Sequence, residues 1–295
     1  LRALKLLWDQ ATLVHYTFEA WQATPWGKVD CDACFSAAKG LQKEFVLLER
    51  RIRGAQNMGV YSGVLNALAE MLVTLPLVQD LRDEAMRERH WKKLMRIAGR
   101  SFTLDDKFVL RDLLRLNLHL IADSVGDIVE QSRQELKIDK HLTKIETVWL
   151  NLAFEYQLFK TSGVSILVEA SLGPVFEALD EHETAVQQML SNRFVGFFES
   201  SVASWKARLG GVRATLDAWV EVQRSWCSLE SIFLGSEDIR EQLPEDAKRF
   251  DGIDAGFKEQ MGDAAATLSP VDACLKEGRM EAFQQMQAAL ELAAA

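Results

Sequence analysis

The sequence predicts an all-α fold, an elongated series of helical bundles with one short β-hairpin insertion. Three observations carry this. Apolar residues recur at the 3.6-residue helical period along most of the chain. Helix breakers are scarce, with 17 Gly and 5 Pro in 295 residues. A two-residue alternation replaces the helical period in one place, around residues 152–168.

The elements follow in order. A first helix is expected over about Ala3 to Trp21, with Leu4, Leu7, Trp8, Ala11, Val14 and Phe18 on one side and Pro25 and Gly27 ending it. A second covers about Asp32 to Arg53 and ends in Arg50, Arg51 and Arg53, which suit the negative end of a helix dipole. Residues 54–63 read as a loop. A third helix starts near Ser62 and breaks at Pro76, and a fourth covers Asp83 to Ile97. Thr103-Leu-Asp-Asp106 resembles a capping box opening a leucine-rich helix from Leu104 to Leu116. Helices over His119–Glu135 and Asp139–Leu150 follow.

Then Leu152, Phe154, Tyr156 and Leu158 alternate with their neighbours, and Val164 to Val168 makes a second extended run beyond Lys160-Thr-Ser-Gly163. That is a hairpin signal. Pro174 fits the first turn of a helix reaching Ser191. Gly210-Gly211 is expected to separate a helix over 195–209 from one over 215–234. In the latter, Leu216, Trp219, Val222, Trp226, Leu229 and Phe233 form a packing seam. Ser236 can cap a short helix from Glu237 to Gln242. Pro244-Glu-Asp246 and Ser269-Pro-Val-Asp272 each start another. No fixed-period self-similarity is visible, so a regular repeat array is not expected.

Charge and composition exclude several function classes. The formal charge is −9, from 34 Lys plus Arg against 43 Asp plus Glu, which argues against a nucleic-acid partner. Its distribution is uneven: residues 1–150 carry 22 basic and 20 acidic side chains, and residues 151–295 carry 12 and 23. The most apolar stretch, Met71 to Val78, is broken by Pro76 and flanked by Glu70 and Asp80, so no membrane span is expected. The chain opens on Leu1 and closes on Ala293, Ala294 and Ala295, and reads as a piece of a longer protein.

Chemistry-bearing motifs fail one by one. Cys31 and Cys34 form a C-x-x-C without a second ligand pair or an α/β context. They read as reduced, structural thiols on a helix face, consistent with a cytosolic setting. Gly27-Lys28 has Gln22 and Val29 where a P-loop needs glycine and a hydroxyl. Gly59-Val-Tyr-Ser-Gly63 puts Tyr61 at the nucleophile position of an elbow. None of the five histidines follows a carboxylate by three residues, as a di-iron bundle requires. No catalytic residue, metal ligand or bound cofactor is expected in these residues.

The eight tryptophans read mainly as core anchors. One patch differs. Arg87-Glu-Arg-His-Trp-Lys-Lys93 fits either a solvated helix end with Trp91 packed inside, or a docking patch for an acidic surface. In the second reading Arg87, Arg89, Lys92 and Lys93 point outward.

Several of these segments carry a resemblance. Met86-Arg-Glu-Arg-His-Trp-Lys-Lys-Leu-Met95 with Phe102-Thr-Leu104, and the stretch from Trp149 to Leu167, resemble the linker region of dynein heavy chains. So, most strongly, does Trp219-Val-Glu-Val-Gln-Arg-Ser-Trp226 through Phe233 and on to Asp254, with Pro244, Arg249 and Phe250 among its motif residues. This last stretch is most similar to axonemal dyneins of the outer-arm type.

The resemblance implies a mechanical part, a helical lever that bends and straightens over a ring of AAA+ modules during the ATPase cycle. It implies a swinging N-terminal half and an anchored C-terminal half; the failed helical period and the change of charge place the bend at the hairpin, giving a swinging part over residues 1–150, a hinge over 151–175 and an anchored part over 176–295. The hinge is expected at Leu152, Phe154, Gly163, Gly173 and Pro174. Ring docking is expected at Arg87, Arg89, His90, Lys92 and Lys93. Trp91, Trp219, Trp226, Phe233, Pro244, Arg249 and Phe250 are expected as structural motif residues. The implied partners are the AAA+ ring of the same heavy chain, microtubules only indirectly, and the dynein tail with its associated chains. ATP and Mg belong to the ring. The implied place is the cytoskeleton of the ciliary or flagellar axoneme. The competing reading is a static helical scaffold that binds other subunits without bending.

Overall fold

The computed structural model describes residues 2–52, 58–160, 162–233 and 237–293. Among them are twelve α-helices and one two-stranded antiparallel sheet. The chain divides into two units, Leu1–Leu136 and Lys137–Ala295. The division falls inside a helix and earlier than the boundary expected at residue 150. By this division the first unit has 19 basic and 18 acidic residues and the second 15 and 25, so the charge asymmetry persists.

The first unit holds α1 (Arg2–Gln22), α2 (Cys31–Ile52), α3 (Met58–Asp80), α4 (Glu88–Ala98), α5 (Leu110–Leu114) and the start of α6 (Ala122–Asn151). Leu7 and Val14 of α1 meet Phe45 of α2 and Tyr61 and Leu68 of α3, with the Phe45 and Tyr61 rings stacked at 5.2 Å. Trp8 does not share that face; it is 51% exposed. The end of α2 at Arg53 lies outside the described residues, as do residues 54–57 of the expected loop.

Four expectations here are corrected. Residues 58–63 are helical, because Tyr61 earns a buried place against Phe45 that outweighs the poor helix propensity of Gly59 and Gly63. Helix α3 runs through Pro76 to Asp80, since Leu75 and Val78 on either side are fully buried. Helix α4 begins at Glu88 rather than Asp83, whose carboxylate instead accepts the Ala85 N–H at 2.9 Å in a turn. Residues 103–106 open no helix: the five-residue α5 starts later, where Asp112 accepts the Val109 N–H at 3.1 Å.

By length and composition α3 could cross a membrane, and Leu68, Met71, Leu75 and Val78 on it pack inside this unit. A strap joins α1 to α2: Trp26 N–H donates to Phe108 O at 2.9 Å and Leu110 N–H to Thr24 O at 3.1 Å.

Helix α6 is continuous where a break was expected between Glu135 and Asp139. Ile138, Leu142, Ile145 and Trp149 keep one face buried there, and no Gly or Pro lies between Glu135 and Asp139. The second unit continues with β1 (Tyr156–Phe159), β2 (Val164–Leu167), α7 (Gly173–Leu190), α8 (Glu199–Phe233), α9 (Glu237–Gln242), α10 (Pro244–Ala264), α11 (Pro270–Cys274) and α12 (Arg279–Ala293). The hairpin appears as expected, with Tyr156 opposite Leu167 and Phe159 opposite Val164.

Gly210-Gly211 does not break the chain. Helix α8 passes through it for 35 residues, about 52 Å at the standard rise. A Cβ on Gly211 would lie 2.6 Å from Leu275 Cδ2, so this glycine admits close approach by the segment after α11. Pro174 and Pro244 stand in first turns, and Ser269 Oγ accepts the Asp272 N–H at 3.3 Å, all as expected. Leu234, Ser236, Ala294 and Ala295 lie outside the described residues.

Candidate functional site

The basic segment folds into a lock between α4 and α6. Arg87 is the extended residue before α4, and its N–H donates to His90 Nδ1 at 3.0 Å. With Nδ1 accepting, the proton of the neutral ring sits on Nε2, which faces Glu135 Oε2 at 3.0 Å. Arg89 Nε reaches the same oxygen at 2.6 Å. Gln131 donates to Glu135 Oε1 and accepts from Lys93 Nζ, both at 2.6 Å. Lys92 pairs with Glu88 in solvent at 2.7 Å.

In the docking reading Arg87, Arg89, Lys92 and Lys93 were expected to face outward, with Trp91 inside. Trp91 is buried, edge-on to Trp26 and Phe102 at 6.0 Å each. His90 is 1% exposed, a correction to its place in a surface patch. Arg89 and Lys93 are half-buried and turned to α6, whereas Arg87 and Lys92 remain exposed. The physical reason is one carboxylate: Glu135 is buried on α6 and gathers the donors that the sequence assigned to solvent.

Burial holds the His90 imidazole below its ordinary range, aided by Arg89 and Lys93 and opposed by Glu135. Burial also raises Glu135, but its bonds from Gln131 and Arg89 outweigh this and hold the carboxyl low. Protonating His90 would place a proton on Nδ1, against the Arg87 N–H. The folded value lies below the unfolded one, so the contribution is complete above the ordinary imidazole value of about 6.5 and is lost as pH falls through the depressed folded value. His182, also buried and shifted down by burial, adds in the same direction. Melting should therefore drop on acidification from neutral pH, and less steeply in His90→Asn, whose amide oxygen keeps the Arg87 contact. An unchanged slope in that variant would show that His90 is not a source.

The expected hinge residues sit in a packed core. Phe154 is buried, its N–H bonded to Leu268 O at 2.8 Å and its ring edge-on to Trp219 at 5.8 Å. The Gln223 side chain donates to Leu167 O at 2.9 Å and accepts its N–H at 2.8 Å, pinning β2 to α8. Phe159 lies 5.4 Å from Trp226, and Arg224 pairs with Glu169 at 2.7 Å. Leu152 packs partly buried against the same core as Trp149 and Val175. Gly163 has φ 68 in the hairpin turn, where a side chain would be strained. Gly173 and Pro174 open α7. At these residues the hairpin and α7 share one core with α8.

Of the expected motif residues, Trp219, Trp226, Phe233 and Phe250 share one core in the second unit, whereas Trp91 belongs to a core of the first. Along α8, Trp219 stacks on Phe283 at 5.0 Å, Trp226 on Phe257 at 4.6 Å and Phe233 on Phe250 at 5.3 Å. Trp226 Nε1 donates to Asp254 at 3.0 Å and Trp219 Nε1 points at Met261 Sδ at 3.1 Å. Pro244 opens α10, on which Arg249 pairs with Asp246 at 3.0 Å.

Gln131, Glu135 and Gln223 were missed by sequence reasoning. The i, i+4 spacing of Gln131 and Glu135 is legible, but nothing in it signals burial. Among the described residues no group of three His, Cys, Asp or Glu side chains could hold a metal ion. The four cysteines are free, and burial raises each thiol, Cys274 to about 12.

Comparison with known proteins gives the family. A family model described as dynein heavy chain, N-terminal region 2, matches residues 1–294. The chain is 42% identical over 292 residues to the dynein beta chain of the flagellar outer arm of Chlamydomonas reinhardtii, covering 98% of this chain and 6% of that protein. It is 36% identical to human dynein axonemal heavy chain 9 over 287 residues, covering 97% and 6%. It is 36% identical to the ciliary dynein beta chain of Tripneustes gratilla over 286 residues, covering 96% and 6%. The chain thus spans about 6% of the length of these relatives, and it belongs to the dynein heavy chain family, as its N-terminal region 2.

Proposed function

We propose that this region is the lever of an axonemal dynein heavy chain, transmitting force while nucleotide is turned over elsewhere in the same polypeptide. The observation that carries the proposal is the seam along α8. Three stacked aromatic pairs tie a 35-residue helix to α10 and α12. Close packing of this kind resists strain. The names of the relatives place one in the flagellar outer arm and call another ciliary, and the axoneme is the proposed setting here.

The anchored part takes in the whole of the second unit, hairpin included, because Gln223, Trp219 and Trp226 hold the hairpin to α8. Arg87 and Lys92, the exposed members of the basic segment, are proposed to meet an acidic surface of the ring.

Structures of the whole motor in two nucleotide states test both parts. Superposed on residues 175–260, they should keep residues 138–174 in place while residues 2–52 shift, and one state should bring Arg87 and Lys92 to carboxylates of the ring. Residues 2–52 fixed in both states would favour the static scaffold.

A further inference from the structure

Three Ser or Thr hydroxyls in the chain stand three residues after a lysine or arginine: Thr103 after Arg100, Thr143 after Lys140 and Thr147 after Lys144. The structure separates them. Thr143 and Thr147 lie inside α6, where their hydroxyls are bonded back to the carbonyls of Asp139 at 2.9 Å and of Thr143 at 2.7 Å. Thr103 is outside any helix. Gly99, with φ 66, ends α4, and residues 100–108 form neither helix nor strand before α5. Thr103 is exposed, and its hydroxyl makes no hydrogen bond among the described residues.

The residues around that hydroxyl are accessible too. Arg100 and Ser101 are exposed, and Leu104 is 42% exposed. No ion pair engages the Arg100 guanidinium among the described residues. Phe102 anchors the segment, its ring 6.0 Å from Trp91 and 5.2 Å from Phe108. An unbonded hydroxyl therefore stands on an irregular, exposed segment, with an unpaired cation three residues before it and an apolar residue directly after.

We propose that Thr103 is a phosphorylation site for an arginine-directed protein kinase. The kinase transfers the γ-phosphoryl group of ATP. The bond from Thr103 Oγ1 to phosphorus forms, the bond from phosphorus to the ADP oxygen breaks, and the hydroxyl proton passes to the carboxylate base of the kinase. Arg100 supplies the charge that such a kinase reads in its substrate. Thr143 and Thr147 could be presented only by unwinding α6.

A phosphothreonine carries about −1.5 to −2 charges at neutral pH. Here it would precede the exposed Asp105 and Asp106, and Asp105 shapes the turn by accepting the Lys107 N–H at 3.0 Å. Like-charge repulsion works against that turn. The turn leads into the strap, where Phe108 O accepts the Trp26 N–H. Phosphorylation thus loosens the strap. The inference needs no bending, so it is independent of the lever.

The test incubates the intact motor with ATP, magnesium and a calmodulin-dependent protein kinase, and locates phosphate by mass spectrometry. Phosphate is expected on Thr103, on the serine hydroxyl in Thr103→Ser, and about tenfold more slowly in Arg100→Gln, the scale of one charge-assisted contact, with melting of the untreated variants unchanged. Hydrogen exchange at the Trp26 and Leu110 amides should quicken on phosphorylation and stay constant in Thr103→Val treated alike. No phosphate on Thr103, a rate indifferent to Arg100→Gln, or unchanged exchange at Trp26 and Leu110 would overturn the proposal.

Discussion

Replacing Glu135 by alanine should destabilise the first unit by about 3 kcal/mol, the scale for removing one partner of a buried ionic contact. The carboxylate is 2% exposed and accepts from Arg89, His90 and Gln131. Arg89, at 30% exposure, can rehydrate when it goes. His90 cannot, and a buried Nε2–H would be left without its acceptor. Hydrogen exchange of the α4 amides measures the loss, and a double-mutant cycle with Arg89→Ala isolates the pair. A cost below about 1 kcal/mol, the range of exposed ion pairs, would mean that Glu135 does not hold α4 to α6.

The second large effect concerns the seam. Trp219→Ala should cost about 3–5 kcal/mol, read as faster exchange across α8, α10 and α12. The ring is fully buried, stacked on Phe283 and covered by the Arg279 guanidinium at 5.7 Å. Truncation would open a cavity and strip that buried arginine of its aromatic face. Trp8→Ala is the control: its side chain is half exposed, and its loss should stay within about 0.5 kcal/mol. Equal costs at the two positions would contradict the assignment of rigidity to the α8 seam.

How far these features were legible in the sequence follows from how local their causes are. The α8 seam was readable because Leu216, Trp219, Val222, Trp226 and Phe233 repeat at helical spacing and are buried for that reason. The hairpin was readable because alternation and a glycine with positive φ are both local signals. The continuity of α3 and α8 was not. Pro76 and Gly210-Gly211 are breakers by propensity, and only tertiary contacts override them: Leu75 and Val78 in one case, close approach by Leu275 in the other.

The capping box was sought at Thr103 because its residue types fit, yet the working acid is Asp112, three residues after a valine at the N-cap. The fate of the basic segment depended on Glu135, 45 positions from His90 in the chain, a distance over which periodicity carries no information. The packing of the hairpin was hidden for the same reason: Gln223 and Trp219, which fix it, come from a helix far along the sequence.

The lever itself is tested most directly by distance. In the intact motor, fluorophores at Ser36 and Ser204 should change separation between the ATP-bound and nucleotide-free states. A control pair within the second unit, at Lys140 and Ser228, should keep its separation. A constant distance for the first pair across the cycle would contradict the lever and leave a static scaffold. A change in the control pair would contradict the rigid second unit on which the lever depends.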